Sequence, residues 1–196
     1  MSKNKVEITL SPLGKEDREQ FIKGNQKAFK YGAEEFGMKG KFLNKDGEII
    51  SRKLIEKVID GKNSEAYNII FEGKKVGGVI IKIKKEQKFG ELETLFISPE
   101  IHSKGLGFAT WNYIEQMHPE IEVWETMTPY YDKRNIHFYV NKCGFHIVEF
   151  FHKYHDLKHE DEKEKEGNEE KEEDEEEEDD DEGPDEMFLF RKIIKK

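Results

Sequence analysis

The stretch GELETLFISPEIHSKGLGFATWNYI, residues 90–114, decides the fold. Residues 92–97 alternate, are rich in apolar and β-favouring types, and predict a strand. Ser98-Pro99 ends it, because proline has no N–H to give to a sheet ladder. A short loop with Gly105 and Gly107 follows and runs into Phe108, Trp111 and Ile114 at helical spacing. Strand, glycine-bearing loop and helix N-terminus is the arrangement that binds a phosphate. The unpaired amides of the first helical turn and the positive end of the dipole face the anion. Glycine lets the backbone approach phosphate oxygens that a Cβ would hold off.

The 196 residues suit one domain with an appendage. No run is long and apolar enough to cross a bilayer and no signal peptide is visible, so a soluble, cytoplasmic protein is expected. The single cysteine, Cys143, excludes an internal disulfide and fits a reducing compartment. The net charge of −10 conceals two populations. Residues 160–186 hold twenty acidic residues against three lysines, a net of −17, which leaves the other 169 residues at +7. The acidic tract has no apolar residue between positions 161 and 184 and cannot offset its chain entropy by burial, so disorder is expected there. A basic domain over residues 1–159 and 187–196 carries it as an insert.

Outward from the central stretch, a first strand is predicted over residues 6–10, ended by Ser11-Pro12, and a helix over 15–36. A shorter helix follows over 51–60, with Ser51 as N-cap and Gly61 as stop. Tyr67, Ile69 and Phe71 alternate in a second strand, and residues 76–84 form a third. The turns joining the second, third and fourth strands are too short for crossovers, so these strands pair antiparallel. The helix from Gly105 runs to about His118, before Pro119. It delivers a fifth strand, residues 121–127, parallel to the fourth. A helix over 133–143, a sixth strand over 145–154 and a seventh over 187–194 complete the chain. The acidic tract lies between the last two strands.

This element order, with the phosphate loop after the fourth strand, resembles the GNAT superfamily of N-acetyltransferases. LETLFISPEIHSKGLGFA is similar to that family's acetyl-CoA signature, a strand followed by Arg/Gln-x-x-Gly-x-Gly/Ala. NIHFYVNKCGF, residues 135–145, is similar to its Asn-x-x-x-Tyr-x-x-x-Gly-Phe segment. Two motifs in order, on the right elements, carry the resemblance. One position departs: His102 stands where the family has Arg or Gln, which removes a fixed guanidinium, and Lys104 can replace part of the charge.

The resemblance implies a mixed α/β (α+β) fold. It has a mostly antiparallel seven-stranded sheet, about four flanking helices, and a V-shaped splay between the fourth and fifth strands. Acetyl-CoA as co-substrate would enter the splay, its pantetheine arm pairing with backbone of Phe96 and Ile97 and its thioester oxygen near the Ile97 amide. Amides of His102, Ser103, Lys104, Gly105, Leu106, Gly107, Phe108 and Ala109 would hold the pyrophosphate. Tyr139 matches the proton donor to the leaving thiolate, and Asn135 either contacts the cofactor arm or caps its helix. A lysine-like amine, with a pKa of about 10.4, must lose a proton before it attacks, and a carboxylate is the usual acceptor. Glu91 and Glu93, two residues apart and on one face of a regular strand, are both candidates; the sequence does not choose, although the resemblance puts Glu91 closer to where the family often places its base. Each is otherwise a solvated strand carboxylate.

Cys143 lies on the apolar side of its helix with no partner pattern and reads as structural. His152, His155 and His159 have ligand-like spacing, but they run from a strand end into the acidic tract, so no metal site is expected. Trp124, Tyr130 and Tyr131 cluster at the end of the fifth strand and shape an acceptor pocket unless Trp124 is core. The acidic tract is either a solvated spacer or an electrostatic competitor for the anionic cofactor and attractor of cationic substrate. Nucleic acid is disfavoured as a partner. The expected reaction is acetyl transfer to a primary amine of a small molecule or protein. The alternative is a non-catalytic acyl-CoA-binding or protein-interaction module on the same fold.

Overall fold

The computed structural model describes residues 6–101, 104–155, 184 and 186–194. Seven strands, β1 (Thr9–Pro12), β2 (Ser64–Phe71), β3 (Lys74–Lys84), β4 (Phe89–Ile97), β5 (Val123–Pro129), β6 (His146–Phe151) and β7 (Met187–Ile193), form one sheet in the order β1-β2-β3-β4-β5-β7-β6. Only the β4–β5 pair is parallel. The helices are α1 (Arg18–Glu35), α2 (Arg52–Ile59), α3 (Leu106–Met117) and α4 (Lys133–His137), the last continuing as a π-helix through Phe138–Cys143. The mixed α/β fold with a splayed sheet is thus as the sequence implied.

Several boundaries differ from expectation by a few residues, two of them for clear physical reasons. β1 includes Ser11 and Pro12 instead of ending before them. It is an edge strand paired only with β2, so the N–H that proline lacks is not needed. β4 begins at Phe89, not Leu92, and runs through Gly90. Trp124 lies flat against Gly90: a Cβ there would sit 2.5 Å from the indole, so glycine is required for this close approach.

Both faces of the sheet are covered. Val79, Ile81 and Leu92 pack with Trp111 and Ile114 of α3 and with Tyr139 and Cys143 from the π-helix. Trp111 meets Trp124 edge-on at 5.2 Å, and Trp124 is fully buried, which assigns it to the core. On the opposite face Phe21 and Ala28 of α1 pack against Ile80 and Phe96. At α2 the Ser51 side chain accepts from Leu54 N at 3.1 Å, the predicted N-cap.

The decisive irregularity lies in β4. Its register with β3 runs Ile81↔Leu92 and then Ile80↔Thr94, so Glu93 is an extra residue, a β-bulge. Pairing with β5 stops at Leu92↔Thr126, although β4 continues to Ile97 and β5 to Pro129. Beyond that point the strands diverge and leave a cleft.

Candidate active site

The cleft has a volume of about 1000 Å³ and draws its walls from α1, the segment before α2, β4, the α3 N-terminus, the end of β5 and α4. From β4 come Glu93, Phe96 and Ile97. Lys104, Gly105, Leu106, Gly107 and Phe108 supply the loop and first turn of α3. Gly105 is the N-cap in the left-handed region (φ 76°), and no side chain occupies the cap, so the first-turn amides are not closed off by a capping group. A Cβ at Gly107 would come within 3.5 Å of the Phe138 ring. These features fit an anionic, extended ligand at the helix N-terminus. His102 and Ser103 lie outside the described residues, and Ala109 is not among the residues lining the cleft. Ala109 packs instead with the cluster of Ile8, Ile69, Val76 and Leu106.

One helical face supplies the far wall: Asn135, Phe138, Tyr139 and Lys142. Asp132 N-caps α4, its Oδ1 accepting from Asn135 N at 2.9 Å. Asn135 is therefore not the cap, and its Nδ2 donates to Thr128 Oγ1 at 3.5 Å across the cleft end of β5. Tyr139 is buried, and burial holds its phenol well above the ordinary tyrosine range, with a hydrogen bond to Thr126 acting the other way. Thr126 Oγ1 in turn donates to Leu92 O at 2.8 Å. A hydrogen-bonded chain thus ties the phenol to the last paired residue of β4, at the apex of the V.

The bulge separates the two glutamates. Before it, Glu91 lies opposite Lys82 and is held by Lys84 at 3.3 Å and Lys82 at 3.6 Å; it does not line the cleft. Glu93, at the bulge, does line the cleft. The expectation that both share one face of a regular strand fails because the extra residue interrupts the alternation. The carboxyls still meet. Desolvation by the surrounding walls, reinforced by Glu91, raises the Glu93 pKa above the usual carboxylate range, although its side chain remains accessible from the cleft. No ion pair is formed by Glu93 among the described residues.

Sequence reasoning missed Lys142 and His137 as residues of the cleft wall, and Asp132 as the cap. Lys142 was accessible, being three residues beyond Tyr139 on the same helical face. Asp132 immediately precedes the helix, the position where a cap is expected. Tyr131 lines the cleft and stacks on Phe42 at 5.8 Å, whereas Tyr130 packs outside with Phe150 and Phe188. Burial raises the Cys143 thiol to about 12, which makes it inert. His155 bonds Glu149 at 2.7 Å, and His159 lies outside the described residues. So does the acidic tract except Pro184 and Glu186; Pro184 and Met187 border the cleft, and Glu186 O accepts from Tyr130 N at 2.9 Å. No helix among the described residues is long and apolar enough to cross a membrane.

The sheet that splits between two parallel strands beside an uncapped helix N-terminus has the features that the resemblance to N-acetyltransferases implied. Residues 33–145 match the profile of the acetyltransferase (GNAT) family, and the chain belongs to that family. It is 36% identical to the uncharacterized protein YrkN of Bacillus subtilis over 202 residues, spanning 100% of this chain and 98% of the relative. Among solved structures it resembles the ribosomal-protein-S18-alanine N-acetyltransferase of Escherichia coli, with a TM-score of 0.62 and 12% identity over 97% of this chain and 96% of the other. It also resembles the PaiA N-acetyltransferase of Thermoplasma acidophilum in complex with coenzyme A, with a TM-score of 0.58 and 14% identity over 96% and 99%.

Proposed function

We propose that this protein transfers the acetyl group of acetyl-CoA to a primary amine by direct attack, with Glu93 as base and Tyr139 as acid. The observation that carries the reading is the divergence of β4 and β5 after Leu92↔Thr126, because one cleft then holds Glu93, Tyr139 and the α3 N-terminus. Related folds solved with coenzyme A or acetyl-CoA support acetyl-CoA as the co-substrate. Its phosphates suit the α3 amides together with Lys104 and Lys142, which offset the missing guanidinium at position 102. Its pantetheine arm suits the β4 edge at Phe96 and Ile97, where β5 has withdrawn.

Glu93, directly or through a water, accepts the proton that the attacking ammonium must lose. Its raised pKa makes it a better base than an ordinary carboxylate while leaving it ionised above its own pKa. The neutral amine bonds to the thioester carbon, the C–S bond breaks as Tyr139 donates its proton to the departing sulfur, and the second proton shed by the nitrogen as the amide forms restores the phenol. Glu91, tied to Lys82 and Lys84, acts on Glu93 through its charge.

The test is thermal unfolding with acetyl-CoA, followed by assay of free thiol against a panel of amines. Ligand at a hundred times its Kd adds about 2.7 kcal/mol of stability. Absence of any shift refutes the site. A shift without amine-dependent thiol release refutes the enzyme and favours a binding module.

A further inference from the structure

The acceptor end of the cleft carries one uncommitted carboxylate and an apolar wall. Three carboxylates of described residues line the cleft: Glu35, Glu93 and Asp132. Glu35 is paired with Arg134 at 2.6 Å. Asp132 is buried and spent on the α4 cap. Glu93 forms no ion pair among the described residues and caps no helix; Lys82 and Lys84, which hold Glu91, act on it only through their charge. The flank formed by α1, α2 and the segment between them presents Phe29, Ile49, Ile50 and Leu54, with Tyr131 facing the same cavity. The lysines Lys104 and Lys142 belong to the side of α3 and of the π-helix that follows α4 instead.

We propose that the acceptor is a small primary amine with an apolar body, its nitrogen at Glu93 and its hydrocarbon on the Phe29–Ile49–Ile50–Leu54 wall. This rests on the acetyltransferase reading and adds the substrate class to it. A second ammonium, as in a diamine, would lose its hydration against that wall with no carboxylate to replace it. A carboxylate on the acceptor, as in an amino acid, would meet Glu93 as a like charge. An alkyl or aryl-alkyl chain gains from burial at every methylene.

The experiment measures kcat/KM by thiol release for n-alkylamines from propyl to heptyl, phenethylamine, α,ω-diamines of equal length, spermidine, amino acids and a short peptide with a free N-terminus. The expected result is a rise of about three- to fourfold per methylene along the alkyl series, the equivalent of about 0.8 kcal/mol per buried CH₂. Diamines of matched length should fall about tenfold or more below the monoamines. Leu54, in the first turn of α2 and 36% exposed, tolerates a carboxylate there. Leu54→Glu should therefore flatten the chain-length dependence and move preference toward diamines. A flat alkyl series, or diamines, spermidine, amino acids or the peptide exceeding it, overturns this inference and leaves the acetyltransferase reading standing. Absence of thiol release with every amine refutes that reading itself.

Discussion

Replacing Tyr139 by Phe separates a chemical role from a structural one, because the structure fixes what each would cost. The ring stays, and with it the contacts to Phe145 and Phe190 at 5.7 Å and 5.5 Å between centroids. Only the hydroxyl is lost. Its neighbour Thr126 keeps a partner, since its own hydrogen goes to Leu92 O at 2.8 Å. No buried donor is orphaned, so the loss is that of one net hydrogen bond, about 0.5–1.5 kcal/mol. In a chain of this size that lowers Tm by roughly 1–6 °C. The chemical effect is far larger if the phenol protonates the leaving thiolate: kcat falls by about 10²–10⁴. Since the phenol's pKa lies well above its ordinary value, no basic limb from Tyr139 should appear in the pH profile of the wild type below about pH 10. The assay is saturating thiol-release kinetics beside a thermal melt. A drop in kcat of less than threefold, with the fold intact, would refute the acid role and leave Tyr139 as core.

Three further outcomes follow from the same geometry. In the wild type the acidic limb of kcat/KM should lie above the ordinary carboxylate range, because burial and then Glu91 raise the Glu93 pKa; Glu91→Gln removes a like charge and moves the limb to lower pH, whereas Glu93→Gln abolishes it with most of the activity. Asp132→Asn keeps an N-cap of equal quality and removes a buried charge whose pKa is raised chiefly by desolvation, so melting at pH 7 should show no loss of stability. Replacing the acidic residues of positions 160–182 by Gln and Asn removes most of a negative segment that rejoins the fold at the cleft; KM for acetyl-CoA should fall at low salt, and the difference should vanish as added salt screens it, as titration in NaCl will show.

Most of the architecture was legible because it rests on periodicity and punctuation. Gly105, Gly107 and the spacing of Phe108, Trp111 and Ile114 fixed the phosphate-binding turn, and Asn135, Tyr139 and Gly144 fixed the second motif. What was not legible depends on one strand seen by another. Residues 93–97 run Glu-Thr-Leu-Phe-Ile, two polar and then three apolar, which by itself does not say which residue is extra; the bulge at Glu93 is a matter of register with β3. The choice between Glu91 and Glu93 depended on it. Trp124 could be read as pocket or core until Gly90 was seen to receive its ring. The cleft's apolar wall is assembled from α1 and from residues between α1 and α2, where no local motif marks the contact.

The bulge also determines how the base can be tested. Gly90 and Leu92 face α3, packing with Trp124 and Trp111. Thr94 and Phe96, which a regular strand would place on that same face, instead face α1. Asn25 Nδ2 donates to Thr94 Oγ1 at 3.2 Å, and Phe21 meets Phe96 edge-on at 5.1 Å. Leu95 and Ile97 are turned toward Leu106 of α3. One extra residue therefore exchanges the faces of the strand's second half, and the packing of both α1 and α3 depends on the exchange. Deleting Glu93 would join Leu92 to Thr94 with the pairs Ile81↔Leu92 and Ile80↔Thr94 in regular register, so Phe96 keeps its α1 site and Leu95 and Ile97 stay turned toward α3. In a strand without the bulge the same deletion would turn Phe96 out of its site at a cost of about 3–5 kcal/mol, or roughly 6–20 °C in Tm, a loss that should not appear here. Glu93→Gln, which keeps the residue count, should leave Tm within a few degrees of wild type while removing activity. A deletion variant that loses that much Tm would refute the face exchange, and with it the reason Glu93 and not Glu91 reaches the cleft.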